Sequence, residues 1–343
     1  MGRGSGQAKV GVIQAYPGIG DLIWHLPAIR AIAAHSGGPV ALLANARSQA
    51  DALLGDDPEI APVVLFRRRR GALRLTFDEF ALARQLRALR LERIWILHAG
   101  ARLARAARRA GIPDRRGLGL GEQEAYLTDP RTLPPDLAYA QRGGQVPMLR
   151  RFLGLHGIEL GEAPPSLDIP AAEVAAMRER FAERPRPWIG LGIASADGRR
   201  AWPPEHFAEL AQNLVAGRGR TVFLLGGPGD AKLAQGILEA AGWPGLAIVP
   251  TPPLGLGLRQ SAALMAACDL FVGNDSGPLN IAAALGVPSY GLFGYGPAHE
   301  SISPRIRPIY PEDGWTAMAD GMRRLSPRHV FAAIAPVLDR IAA

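Results

Sequence analysis

The chain has 343 residues, more than one ordinary domain uses and enough for two with cores of their own. Hydrophobic residues make up 48% and charged residues 20%, which excludes a disordered chain, and no apolar run reaches the ~18 residues needed to span a bilayer. The formal net charge is +8, but the basic residues are not interleaved with aromatics in any nucleic-acid module, so no nucleic-acid partner is expected.

The basic residues are almost all arginine, since Lys9 and Lys232 are the only lysines. Arginine suits bidentate contact with phosphate or carboxylate, and a GC-rich coding bias would produce the same excess. The run Arg67 to Arg70 reads either as a solvated loop or as a contact for anionic membrane or an acidic acceptor. Residues 1–10 lack the apolar segment of a secretory signal. The single cysteine, Cys268, has no partner for an internal disulfide, so a reducing cytoplasmic location is expected.

In the first half, short apolar runs at 9–15, 39–45, 61–66 and 93–99 alternate with helical patterns at 22–35, 47–55 and 78–90. Such alternation predicts a parallel sheet with helices on both faces. The pattern loosens after Pro130, and the proline-bearing stretch 161–170 marks the approach to a boundary. Alternation resumes with a helix at 171–183. Strands follow at 184–194, 221–227, 246–250, 270–275 and 288–294, and helices at 204–217, 231–242 and 258–268. Ser326 is placed to cap the last helix and Pro327 to open it. The expected fold is α/β: two Rossmann-like doubly wound parallel-sheet domains, residues 1–170 and 171–325, facing across a cleft, with residues 326–343 as a C-terminal helix. Ligands of such sheets bind beyond the carboxyl ends of the strands, so the loops there carry the chemistry.

The first of these loops is Pro17-Gly18-Ile19-Gly20-Asp21. A dinucleotide fingerprint would place a third glycine where Ile23 stands and an acid where the second strand ends in Asn45, so a nicotinamide site fails twice. Asp21 at the helix start would repel a pyrophosphate. It reads either as a capping residue or as a base able to take a proton from an incoming hydroxyl. The second loop, Gly226 to Asp230, allows close backbone approach to a ligand through Gly226 and Gly227, and is equally an ordinary strand-to-helix turn.

The third loop, Asn274-Asp275-Ser276-Gly277-Pro278, precedes a helix of small residues expected to begin near Leu279. Gly277 permits close approach, Ser276 offers a hydroxyl, and free amides at a helix start attract an anion, with Asp275 as a cap in the plainer reading. Between these loops, Ser195 can bond phosphate oxygens and Arg199 and Arg200 can neutralise their charge, unless the segment is merely a solvated loop. Trp202 and Pro203 read as an anchor opening the next helix. No Asp-x-Asp triplet and no histidine cluster occurs, so neither a metal site nor a cofactor is expected.

The segments GIGDLIWHLPAIRAI and GNDSGPLNIAAALGVPSYGLFG, with GARLARAARRAGIPDRRGLGL, RAWPPEHFAELAQNL and TVFLLGGPGD in order between them, resemble glycosyltransferase family 9, the ADP-heptose:lipopolysaccharide heptosyltransferases. The resemblance implies a GT-B architecture, an acceptor on the first domain beside Gly18 and Gly20, and Asp21 as general base. It implies a nucleotide-sugar donor, ADP-heptose, held by Ser195, Arg199, Arg200, Gly226, Gly227, Asp275, Ser276, Gly277 and Asn280. It also implies a terminal helix crossing back to the first domain. The acceptor would be lipid-linked or another glycan, and the enzyme would work at the inner face of the cytoplasmic membrane in peripheral contact with anionic lipid. Asn280 stands where the family has histidine, and Arg200 where it has lysine. These departures leave open another nucleotide sugar, a protein or other glycan acceptor, or a catalytically silent binding protein of the same fold.

Overall fold

The computed structural model describes residues 8–67, 74–134, 145–216, 219–242, 247–296, 303–318 and 320–342. Of the arginine run, Arg68 to Arg70 lie outside the described residues. The chain divides into two compact units, residues 1–165 and 166–343. The division falls inside the proline-bearing stretch that marks the boundary in the sequence.

The first unit runs β1 (Val10–Gln14), α1 (Ile19–Ser36), β2 (Val40–Asn45), α2 (Ala50–Leu54), β3 (Ile60–Phe66), α3 (Arg74–Ala88), β4 (Arg93–Ile96), α4 (Ala101–Arg109), β5 (Asp114–Gly117) and α5 (Gln145–Leu155). Its five strands are ordered β3-β2-β1-β4-β5, and every pairing is parallel. The central strands are apolar on both faces because helices cover both, which is why they read as continuous apolar runs. β5 is different. Its sequence, Asp114-Arg115-Arg116-Gly117, carries no apolar signal, and it joins as an edge strand paired with β4. Arg93 and Asp114 form an ion pair across that register, and the Arg116 guanidinium lies over the Trp95 ring at 5.0 Å. α5 is also absent from the expected elements. It is held by buried Leu149, Phe152 and Leu153, and Phe152 meets the Trp95 ring edge-on.

The second unit runs α6 (Ala171–Arg180), β6 (Trp188–Gly192), α7 (Pro204–Val215), β7 (Thr221–Leu225), α8 (Ala231–Ala240), β8 (Ile248–Pro250), α9 (Leu258–Ala267), β9 (Leu270–Asn274), α10 (Gly277–Ala284), β10 (Ser289–Leu292), β11 (Ile306–Ile309), α11 (Gly321–Arg324) and α12 (Pro327–Ala342). Its six parallel strands are ordered β11-β10-β9-β6-β7-β8. Numbered within the unit, this is the doubly wound order in which the chain winds outward from the middle twice. β6 and β9 come close where Gly192 faces Gly273, and a Cβ on Gly273 would lie 2.8 Å from the Gly192 carbonyl oxygen. Trp202 is buried as the anchor expected before α7, and its indole N–H donates to the Leu325 carbonyl at 2.8 Å. Ser326 caps α12 by accepting from the His329 N–H at 3.2 Å. In α12, Val330, Ile334, Val337 and Leu338 are buried in the second unit's own core with Phe207, Leu210 and Ile189. That apolar face of the terminal helix is thus used within the second unit.

Candidate functional site

In each sheet the winding reverses between two neighbouring strands, β1 and β4 in the first unit and β6 and β9 in the second. Connections leave such a pair in opposite directions, so a crevice opens at their carboxyl ends. Most of the residues singled out in the sequence lie on the loops at these two places.

In the first unit, Gly18 precedes α1 and Asp21 sits in its first turn. The Gly18 N–H donates to Asp21 Oδ2 at 3.2 Å, folding the carboxylate back over the turn. A Cβ on Gly18 would lie 2.5 Å from that oxygen, so any other residue there would push the carboxylate aside. Gln145, the first residue of α5, donates from Nε2 to Asp21 Oδ1 at 3.0 Å. Gly18, not Asp21, is thus the N-cap residue of α1; Asp21 sits three residues on and reaches back to the Gly18 N–H, and it also carries a second contact from a distant element. Burial raises the Asp21 pKa above the ordinary value of 3.8, and the hydrogen bonds from Gln145 and Gly18 hold part of that rise back.

Three aromatic rings cluster near this turn. Tyr16, two residues past the end of β1, has its ring 5.4 Å from His25 and 4.7 Å from His98. Burial, and then the charge of Asp21, raise the Tyr16 pKa. His25 Nδ1 lies 2.6 Å from the Asp21 carbonyl oxygen, which only accepts, so the ring carries its proton on Nδ1. Burial lowers the His25 pKa to about 4, leaving the ring neutral near pH 7. His98 Nδ1 accepts from the Gly100 N–H at 2.8 Å, which puts the neutral ring's proton on Nε2. Gln123 supports the same loop by donating to the His98 carbonyl at 2.6 Å and accepting from the Gly119 N–H at 2.8 Å.

Beside His98 opens a cavity of about 660 Å³ whose lining includes Asn45, Arg47, Arg67, Glu79 and Arg102. Glu79 is already matched by Arg105 at 2.9 Å and Arg109 at 2.7 Å. Arg47, Arg67 and Arg102 are in no ion pair among the described residues and outnumber Asp78, the other acid of the lining, so the cavity carries a positive excess.

In the second unit, Asn274 ends β9 and ties three segments together. Its Oδ1 accepts from the Trp202 N–H at 2.9 Å, and its Nδ2 donates to the Ile193 carbonyl at 2.9 Å. The β6 loop is thereby held against the β9 loop. Arg200 Nη1 then reaches Asp275 Oδ2 at 2.8 Å. Ser195 Oγ donates to the Asp197 carbonyl at 2.9 Å. Asp197 binds Arg199 through both carboxylate oxygens, at 3.0 and 2.7 Å, and that charge pulls the Asp197 pKa down to about 2. Arg199 also lies 4.9 Å over the Tyr295 ring and donates to its hydroxyl at 2.9 Å.

α10 begins at Gly277, two residues earlier than expected, with Ser276 as its N-cap residue. Ser276 Oγ is buried and has no hydrogen-bond partner among the described residues. Asn280 donates to the Ser276 carbonyl at 2.9 Å, so its amide is tied to the helix that carries it.

The structure thus gathers Ser195, Arg199, Arg200, Asp275, Ser276, Gly277 and Asn280 around one switch point. Gly226 and Gly227 stand apart, on the loop after β7, the neighbour of β6 on the other side. There the Gly227 N–H donates to Asp230 Oδ2 at 2.8 Å and is already occupied. Sequence reasoning missed Tyr16, His98, Gln145, Asp197, Asn274 and Tyr295. Among the described residues, no group of three or more His, Cys, Asp or Glu could hold a metal ion.

Two parallel doubly wound units, each with polar residues gathered at its switch point, have the architecture of the GT-B fold. The model of glycosyltransferase family 9 (heptosyltransferase) matches residues 80–309, and the chain belongs to that family. It is 30% identical to lipopolysaccharide heptosyltransferase 2 of Salmonella typhimurium over 266 residues, 74% of this chain and 73% of that protein. Among solved structures it is similar to the E. coli ADP-heptose lps heptosyltransferase II, with a TM-score of 0.75 at 24% identity, covering 98% of this chain and all of that one. The family 9 glycosyl transferase of Veillonella parvula gives a TM-score of 0.76 at 18% identity, covering 96% of this chain and 97% of the other. At these identities the structural likeness establishes the fold.

Proposed function

We propose that the chain is an inverting transferase that moves heptose from ADP-heptose to a lipopolysaccharide inner-core acceptor, with Asp21 as general base and no metal in the transfer step. The observation that carries this reading is the Asp21 carboxylate. It is partly buried at a strand switch point, raised in pKa, and held by two neutral donors, with no cation bonded to it among the described residues. A raised pKa makes a stronger base, and the neutral donors orient it while holding back only part of that rise.

In the transfer step, an acceptor hydroxyl oxygen bonds to the anomeric carbon on the face opposite the nucleotide. The hydroxyl proton passes to Asp21. The bond from the anomeric carbon to the diphosphate oxygen breaks, and ADP leaves with the electron pair. The transition state is oxocarbenium-like, as in glycoside hydrolysis. Charge growing on the leaving diphosphate is met by Arg200, the Ser276 hydroxyl and the free amides at the start of α10. Arg199 holds the loop through Asp197. The acceptor binds in the first unit, and the positive cavity beside His98 suits an acceptor with acidic groups. No helix among the described residues is long and apolar enough to cross a membrane. A lipid-linked acceptor would be reached by peripheral contact with anionic lipid at the cytoplasmic face.

One observation favours a second donor. Asn280 uses its amide on the Ser276 carbonyl, where the family's histidine helps hold the donor, so another nucleotide sugar is the competing reading. Calorimetric titration with ADP, UDP, GDP and NADH in metal-free buffer separates the two. Preference for ADP supports the heptose donor, whereas preference for UDP or GDP overturns it and keeps the transferase.

A further inference from the structure

We propose that Gln145 is a positioning residue for the Asp21 carboxylate, fixing the orientation in which that base receives its proton. The proposal rests on the reading of Asp21 as base. The two residues are 124 positions apart in sequence and 3.0 Å apart in space. The contact follows from helix packing, because α5 is fixed by buried Leu149, Phe152 and Leu153, and its first residue then falls beside the first turn of α1. With Gly18 on Oδ2 and Gln145 on Oδ1, each carboxylate oxygen accepts one hydrogen bond and retains a lone pair for the incoming proton. Reversing the amide would set Gln145 Oε1 against Asp21 Oδ1, oxygen on oxygen, so the amide N–H must face the carboxylate.

Glutamine is suited to this task. A lysine or arginine in its place would orient the carboxylate equally well but would hold its pKa down and weaken the base. An amide is neutral at every working pH. Among the described residues the surroundings carry little competing charge. Tyr16 beyond β1 is un-ionised near pH 7, since burial and the Asp21 charge raise its pKa. His25 on α1 is neutral, with its pKa near 4, and His98 beyond β4 meets the site through the Tyr16 ring. From α5 the group acting on Asp21 is Gln145.

Two isosteric changes test the proposal. Gln145→Met keeps the volume and removes the donor, and Gln145→Glu replaces it with a like charge. The Asp21 titration is followed by NMR in full-length chain labelled with carboxyl-13C aspartate, its resonance identified by its loss in Asp21→Asn. In parallel, kcat/KM is measured against pH with ADP-heptose and a heptose-free lipopolysaccharide core. The midpoint should rise by ~1 pH unit in the Met variant and further in the Glu variant. The acidic limb of kcat/KM should move with it, because only the ionised carboxylate accepts the proton. A midpoint unmoved in both variants overturns the role of Gln145 and leaves Asp21 as base. Full activity in Asp21→Asn, or a moving midpoint with a stationary limb, overturns the base reading and the proposal with it.

Discussion

Arg200 and Asp275 lie 75 positions apart and meet at 2.8 Å across the switch point of the second sheet. The pair presents a cation and a carboxylate together on two loops that Asn274 holds in place. A bound diphosphate would draw on the Arg200 charge while Asp275 fixes its direction. Arg200→Ala should therefore weaken ADP binding about tenfold or more, the loss of one charge-assisted contact. Asp275→Ala should weaken it less, and the double variant less than the sum of the two. Calorimetry on the four proteins of this cycle gives the coupling, expected at ~1 kcal/mol for a pair that is partly exposed.

Removing the base should separate chemistry from donor binding. Asp21→Asn keeps the shape of the side chain and cannot accept the hydroxyl proton. Its kcat should fall by ~10²- to 10⁴-fold, the range for loss of a general base. Affinity for ADP should stay near that of the parent, because Asp21 belongs to the first unit and the proposed donor residues to the second. A large loss of ADP affinity in this variant would remove Asp21 from the base role.

His25 should make folding stability depend on pH. Its ordinary pKa is 6.5 and its folded value is about 4, because burial disfavours the charged ring. Above pH 6.5 both states hold a neutral ring, and its stabilising contribution is fully present. As pH falls from 6.5 toward 4 the unfolded chain takes a proton that the folded chain refuses, so stability is lost over that window. The total is on the order of 3 kcal/mol for a shift of this size. His25→Leu should flatten the pH dependence of urea unfolding in that window, whatever it does to stability at neutral pH.

Gly273→Ala should strain the second sheet. The new Cβ would lie 2.8 Å from the backbone of Gly192 on the adjacent strand, and backbone cannot turn aside as a side chain can. A cost of ~1–3 kcal/mol is expected for such overpacking. Urea unfolding should show a lower midpoint, and ADP affinity should fall with it, since Gly192 and Gly273 lead directly into the loops that carry Ser195 and Asp275. Gly198→Ala is the control. A Cβ there meets nothing within 4 Å, and stability should hardly change.

The sequence by itself determined the class of the fold and pointed to most of the loop residues that meet at the switch point of the second unit. Apolar runs such as Val40 to Asn45 could only be strands buried on both faces, and their alternation with helices implied parallel sheets. The Asn274 to Pro278 stretch announced itself because a strand end, two small residues and a helix start fall within a few positions. Local patterns of that kind survive in a one-dimensional reading. β5 did not, because Asp114, Arg115 and Arg116 are polar and the strand exists through its pairing with β4 and the stacking of Arg116 on Trp95. Nor did α5, whose placement depends on Phe152 meeting Trp95. Strand order, and with it the position of both switch points, came from tertiary structure alone. So did the surroundings of Asp21. Its acidity depends on burial and on Gln145, and both are set by how α1 and α5 pack, a relation between residues too far apart in sequence to leave a local mark.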